Sequence, residues 1–290
     1  MVGYHHNMVK HLMINDLDLV KQVFVKDFDH FTDRTVKIDF GSKYLNGMMF
    51  FGPGDDAWTQ MRHAGSPAFT SGKLRHMSRI IDKVANDLVD YLDGVSRAGE
   101  EVSAKEVASK FTVQSIASTG FGIEANQFDG SPQGAQFYEM TRKFTEGVTP
   151  AKLAKVLAKM FIGMVLYRKA RMEIISHEAT DYFADIIKQQ IKLRGNRAKK
   201  RNDMIDLLTE AYMGNASNDE EVNRQIEEEL EVTKPSSKVS ALRGDELEDA
   251  LVSNLLLLFV AGYDTSSNMM TACLFFLARN PEVQDREAIQ

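Results

Sequence analysis

Two short constellations in this sequence carry residue types that do chemistry. The first is Ala261-Gly-Tyr-Asp-Thr-Ser266, set inside a long apolar run. Ala261 and Thr265 are four residues apart, so on a helix they share a face. A threonine hydroxyl there either donates to a bound ligand or bonds the carbonyl one turn back. Asp264 beside it can relay protons from water, and the small Ala261 and Gly262 let another group approach the backbone. Small residue, acid and hydroxyl together suit protonation of an oxygen held against the helix. The plainer alternative is a helix distorted at Gly262, with Thr265 back-bonded and Asp264 satisfied locally.

The second constellation is Trp58 and Arg62, again at i and i+4. An indole N–H and a guanidinium then point the same way, and both are donors only. Two donors on one face suit a carboxylate, which arginine binds especially well. The alternative is a Trp–Arg stacking pair on a helix surface.

Periodicity defines the elements that must position these side chains. Residues 1–7 read as a polar tail and 11–14 as a short strand. Asp16 caps a helix whose apolar stripe is Leu17, Leu19, Val20, Val23, Phe24 and Phe28. Residues 31–54, rich in glycine and aromatics, read as a long loop with some strand character. Asp55 and Asp56 start the helix that carries Trp58 and runs to about Ala68. Ser71 caps the next, with Leu74, Met77, Ile80, Ile81, Val84, Leu88 and Leu92 on one side. Further helices are expected over 102–120, 133–144, 168–194 and 203–213, and 151–166 is mostly apolar with Lys152, Lys155 and Lys159 along it. Residues 214–240 read as a mobile acidic loop. The longest helix spans 244–279, and Pro281 follows it.

From 250 to 278 the only charged residue is Asp264. Length and hydrophobicity alone would allow a membrane span. Five consecutive polar residues, Asp264 to Asn268, would then sit where lipid is deepest, at high cost. A central helix of a large domain fits better. The whole is a mainly α chain, read as a single domain over 1–290.

Composition narrows the function classes. The 290 residues are 43% hydrophobic and 26% charged, as in a globular protein. A net charge of −6 argues against nucleic acid as the main partner. The single cysteine, Cys273, permits neither an internal disulfide nor a zinc site of paired cysteines. His5, His6 and His11 form a loose terminal group with no carboxylate spacing for metal, so no metal ligand set is expected. Gly52-Pro-Gly-Asp-Asp-Ala57 superficially fits a dinucleotide fingerprint, but helices follow it and Pro53-Gly54 suggests a turn.

Several segments resemble the cytochrome P450 family, in that family's order. Ala261 to Ser266 resembles the oxygen-activation motif of its helix I, and Asn280-Pro-Glu-Val-Gln284 the start of helix J. Trp58-Thr-Gln-Met-Arg62 resembles the helix C motif. Pro67-Ala-Phe-Thr-Ser-Gly-Lys-Leu74, Phe31-Thr-Asp-Arg34 and Arg201-Asn-Asp-Met-Ile-Asp-Leu-Leu208 are similar to the microsomal group of vertebrate drug-metabolising and insect detoxifying enzymes. The resemblance implies the N-terminal and central part of that fold, helices B to I and the start of J, without most of the sheet.

It also implies chemistry: a haem-thiolate monooxygenase inserting one oxygen atom into lipophilic small molecules. Haem b would be the cofactor, with electrons from NADPH through a cytochrome P450 reductase. Thr265 would hold the oxygen being activated and Asp264 would help deliver protons, while Ala261 and Gly262 open the oxygen groove. Trp58 and Arg62 would hold a haem propionate. Leu45, Met48, Phe50, Leu257 and Val260 would line the substrate cavity. Lys73, Arg75, Arg79 and Lys83 form a basic strip, either a solvated face or a face toward an acidic reductase. Residues 156–166, rimmed by Lys155, Lys159 and Arg168, either touch a membrane surface or pack in the core, and the endoplasmic reticulum would be the location.

The family's axial cysteine has no counterpart in the chain. Cys273 lies eight residues beyond Thr265 on the same helix, about 12 Å along it. It reads as a small buried apolar residue. The expectation is thus a fragment ending before the axial cysteine, lacking the anchor as well, and inactive by itself. The alternative is a non-enzymatic all-helical binding or interaction protein.

Overall fold

The computed structural model describes residues 1–6, 9–33, 40–145, 175–194, 201, 203–213 and 244–287. Expectations that fall on 151–166, on Arg34 and on the acidic loop over 214–240 lie outside the described residues. Residues 1–7, expected as a polar tail, instead contribute a strand. β1 (Val2–His6) pairs antiparallel with β2 (Val9–Met13), Val2 opposite Met13 and Tyr4 opposite His11. The Tyr4 and His11 rings stack at 5.2 Å, a cross-strand pair that helps hold the register.

Asp16 caps α1 (Leu17–Lys21), its carboxylate accepting from the Leu19 N–H at 3.0 Å. The expected stripe on this helix does not reach the core. A π-turn over Gln22–Lys26 follows at once and breaks the i, i+4 alignment, so Leu17 is 83% and Phe24 68% exposed.

α2 (Lys43–Asn46) lies within the segment expected to be loop. Asp55 caps α3 (Asp56–Gly65), accepting from the Trp58 N–H at 2.9 Å with acid at the positive end of the helix dipole. This helix stops at Gly65, before the expected end, because a 3-10 turn (Ser66–Phe69) containing Pro67 takes over. α4 (Ser71–Ala98) takes Ser71 as its first helical residue, so Thr70 and not the expected Ser71 is the N-cap, and the helix closes on Gly99, whose φ of +67° suits a glycine C-terminus. α5 (Ala104–Ile116) runs into a π-turn (Ala117–Phe121). α6 (Pro132–Thr145), α7 (His177–Arg194) and α8 (Met204–Met213) follow. The 35-residue α9 (Asp245–Arg279) and α10 (Pro281–Glu287) complete the described chain.

α9 is the axis of the fold. Its most extensive partner is α5, and α2, α7 and α8 pack on it as well. Leu251, Val252, Leu255, Leu256 and Phe259 are all but excluded from water. The Phe259 ring is 4.6 Å from Phe183, 5.6 Å from Phe121 and 6.1 Å from Phe137, so one side chain joins four elements. By length and apolarity α9 could cross a membrane, but its first half is the protein core.

A buried ionic clasp closes the far side. The Arg194 guanidinium at the end of α7 pairs with Asp203 and with Asp206 (3.0 Å), and donates to the Phe121 carbonyl at 2.7 Å. Gly122 sits at φ +62° beneath it; a Cβ there would come 2.5 Å from the Arg194 Nη2 atom, so only glycine fits. Burial pushes the Asp203 carboxyl up, and Arg194 pulls against that shift. Removing the arginine alone therefore strands a desolvated acid. Arg194→Met is expected to cost about 3 kcal/mol of stability, and the added Asp203→Asn to recover part of it. Urea unfolding midpoints of the single and double variants check this.

Candidate functional site

The polar turn of α9 divides its side chains between two faces. Asp264, Ser267 and Asn268 face α5, where the Lys105 ammonium donates to all three at 3.3, 2.8 and 2.7 Å. Ala261 and Thr265 lie exposed on another side. The Thr265 hydroxyl donates to the Ala261 carbonyl at 2.5 Å. Of its two uses open from sequence, the back-bond is the one observed.

Gly262 does not share the Ala261 side. A Cβ there would lie 3.2 Å from the Ile116 Cδ1 atom, so its missing side chain lets α5 approach α9. Ala261 is the small residue left on the open side. Beyond Ser267 the helix is largely uncovered: Met269 is 68%, Phe275 54% and Phe276 63% exposed. Cys273, expected buried, is exposed among them. The apolar sequence of this half exceeds what the described elements can cover.

Around α3 the two donors part company. The Trp58 indole N–H donates to the Met49 carbonyl at 3.0 Å. It is therefore committed to the protein's own backbone, an acceptor that the i, i+4 spacing could not reveal. Arg62 is exposed and, among the described residues, forms no ion pair. Trp58, Met49, Met61, Pro53, Lys43 and Asp249 border an open cleft of about 230 Å³ between α3 and the first turns of α9. Asp249 binds Lys43 at 2.6 Å and holds its ammonium above the ordinary value.

The expected cavity residues are dispersed. Leu45 and Met48 are buried in the core at 0% and 2% exposure, whereas Phe50 is 55% exposed. Leu257 and Val260 are half-buried against the core, Leu257 one turn before Ala261 and Val260 directly before it. On α4, Arg75, Arg79 and Lys83 are exposed and Lys73 is half-buried. The Gly52–Ala57 segment is a turn leading into α3, its Gly54 N–H held by Asp33 at 3.0 Å, with no flanking strand among the described residues.

Two residues escaped the sequence reading. Asn254 is buried inside the apolar run; its carbonyl oxygen accepts from the Met49 N–H at 2.9 Å, and its amide donates to the Ala250 carbonyl at 2.8 Å. A lone asparagine among leucines is a visible signal of such a buried tie. Lys105 left no signal, being an ordinary lysine in a first helical turn.

Comparison with known proteins gives this geometry a family. The Cytochrome P450 family description matches residues 1–287. A Drosophila melanogaster protein described as probable cytochrome P450 6a14 is 32% identical over 94% of this chain and 51% of its own length. Cytochrome P450 6B1 of Papilio polyxenes is 28% identical over 98% of this chain and 52% of its own length. Cytochrome P450 6j1 of Blattella germanica is 29% identical over 94% and 48%. The chain belongs to the cytochrome P450 family, on its insect branch of relatives, and spans about half the length of the curated relatives it matches. The mainly helical fold agrees with that membership, which does not favour a non-enzymatic binding protein.

Haem b is the cofactor that membership implies. The residues present that could hold it are the open Ala261–Thr265 step, small and carrying a hydroxyl, and the exposed guanidinium at Arg62. The one thiol, Cys273, lies on the same helix as that step and is no counterpart to it across a ring.

The close approach of α5 and α9 should be sensitive to bulk at Gly262. Gly262→Leu is expected to destabilise by about 1–3 kcal/mol through overpacking against Ile116. Adding Ile116→Ala should return part of that loss in thermal unfolding.

Proposed function

We propose that this chain forms the oxygen-activating side of a haem monooxygenase that inserts one O2-derived oxygen atom into lipophilic small molecules. The observation that carries the reading is the Ala261–Thr265 step. It stays open on a helix whose preceding turns are buried, with Asp264 adjacent. When bound, haem supplies the redox chemistry; the protein supplies orientation, protons and exclusion of water. Thr265 presents its hydroxyl to the oxygen being activated after releasing the Ala261 carbonyl, and Asp264 passes protons in from water. Ala261 leaves room for that oxygen. Gly262 serves this groove indirectly, by letting α5 seat α9.

Arg62 holds a propionate, and Trp58 braces the Met49 segment beside it. Leu257, Val260 and Phe50 meet the substrate, and Leu45 and Met48 belong to the core. Electrons come from NADPH through a reductase that docks near the basic residues of α4. The chain acts at the cytosolic face of the endoplasmic reticulum membrane, from which lipophilic substrates partition. Residues 1–290 belong to one domain.

In the full-length haem-loaded protein, Thr265→Ala is expected to leave haem content unchanged and raise the ratio of peroxide to product. An unchanged ratio, measured beside NADPH consumption, counts against the role of the hydroxyl. Arg62→Ala should lower haem retained per polypeptide, read from the Soret absorbance after gel filtration. Trp58→Phe should lower it less, because its N–H serves Met49. Equal retention in wild type and Arg62→Ala removes the propionate assignment.

A further inference from the structure

We infer that Asn254 is the positioning residue for Phe50, so that a buried amide in α9 sets where the substrate-facing turn after α2 stands. The inference rests on the proposed contact of Phe50 with substrate and deepens it. Within the turn, the Phe51 and Gly52 N–H groups both return to the Met48 carbonyl, at 2.9 and 3.1 Å. The Met49 N–H goes elsewhere, to the Asn254 Oδ1 atom at 2.9 Å. Asn254 is 2% exposed, and its amide nitrogen is committed as well, to the Ala250 carbonyl at 2.8 Å and the Met61 sulfur at 3.7 Å. One side chain therefore joins α9, the turn and α3. Phe50 follows Met49 directly, and its ring meets Phe51 edge to face with centres 5.0 Å apart. The Phe51 ring in turn lies 4.7 Å from that of the buried Phe40.

Magnitudes single out the asparagine. Lys43 and Asp249 also tie this segment to α9, at 2.6 Å, but the lysine side chain is 60% exposed. Pairs so open contribute little. Gly47 runs against Ser253, where a Cβ would come 2.6 Å from the hydroxyl oxygen. That contact limits approach without supplying a directed bond. The Asn254 bond is directed, shielded on the α9 side, and made to the backbone of the residue next to Phe50. A shielded N–H that loses its acceptor bears the cost of its lost hydration. Without Asn254 the turn therefore shifts until water reaches Met49, and Phe50 shifts with it. The consequence falls on substrate binding, because Asp264 and Thr265 lie about three turns further along α9.

Two measurements on the full-length haem-loaded protein test the inference. The first uses a series of alkoxycoumarins, lipophilic probes whose dealkylation releases a fluorescent phenol. Asn254→Leu, apolar and of similar shape, should raise KM for these probes about tenfold and change kcat by less than about twofold. Asn254→Gln keeps an amide acceptor and should recover most of the KM. Phe50→Ala should raise KM by a similar factor, and adding Asn254→Leu to it should change little, since both act through one ring. If Phe50→Ala leaves KM unchanged, the substrate contact given to Phe50 fails. If Phe50→Ala raises KM while Asn254→Leu matches wild type, or if the two effects multiply, the positioning role of Asn254 is overturned and the contact of Phe50 stands. The second measurement needs no substrate: deuterium uptake by peptides covering 46–52 should be faster in Asn254→Leu, and equal uptake overturns the anchoring of the turn. Should Asn254→Leu not accumulate as folded protein, Asn254→Ser takes its place. Its hydroxyl is too short to reach Met49 and leaves room for a water. A smaller rise in KM is then expected, and no rise overturns the inference.

Discussion

Residues Leu251 to Phe259 of α9 lose water on nearly every side, to α2, α5, α7 and α8. Each large apolar side chain so buried stabilises by roughly 1.5–3 kcal/mol, which makes this stretch the chief source of cohesion. It imposes a demand in return. A helix buried all round has no free side on which to place polar groups, so each one needs its own partner. Ser253 answers by donating to the Asp249 carbonyl at 2.6 Å, and Asn254 by tying Met49 to α9. The same bond fixes the backbone whose carbonyl receives the Trp58 indole N–H. The placement of α3 is in this way coupled to the core of α9.

Further along, the helix passes from full burial to exposure within about two turns, and the polar residues sit at that transition. One side still has a neighbour, and there the close contact of Gly262 with Ile116 brings α5 near enough for Lys105 to reach over. The other side carries Ala261 and Thr265 with nothing described against them. Acid and hydroxyl are neighbours in sequence but belong to different surfaces, one structural and one open. That separation follows from helix geometry alone.

How much of this was legible beforehand depends on the range of the interaction. The long central helix was plain, because 29 residues from 250 to 278 hold a single charge. The start of α3 was equally plain, since Asp55 bonds a residue three positions away. Lys105 was not, because it meets Asp264 across 159 residues of chain and nothing in its own surroundings marks it. Trp58 illustrates an intermediate case. Its helical spacing to Arg62 is local and correct, but the acceptor of its N–H comes from a loop whose path no periodicity describes. Of the hairpin at the start, the second strand was legible over 11–14, whereas the first was missed because its five residues include two histidines and sit in a polar tail. Leu17 and Phe24 formed a convincing stripe that a single π-turn was enough to misalign.

Trp58 is also the chain's single tryptophan. Its ring is half-buried, its N–H is bonded to Met49, and the Phe28 ring lies 6.3 Å away. Ultraviolet emission excited at the indole band therefore arises from one locality, where α3 meets the segment after α2. Any pigment settling nearby with absorbance overlapping that emission would quench it by energy transfer, and loosening of the Met49 bond would shift it to longer wavelength. The molecule carries a built-in optical gauge of how α3 is held against the segment after α2.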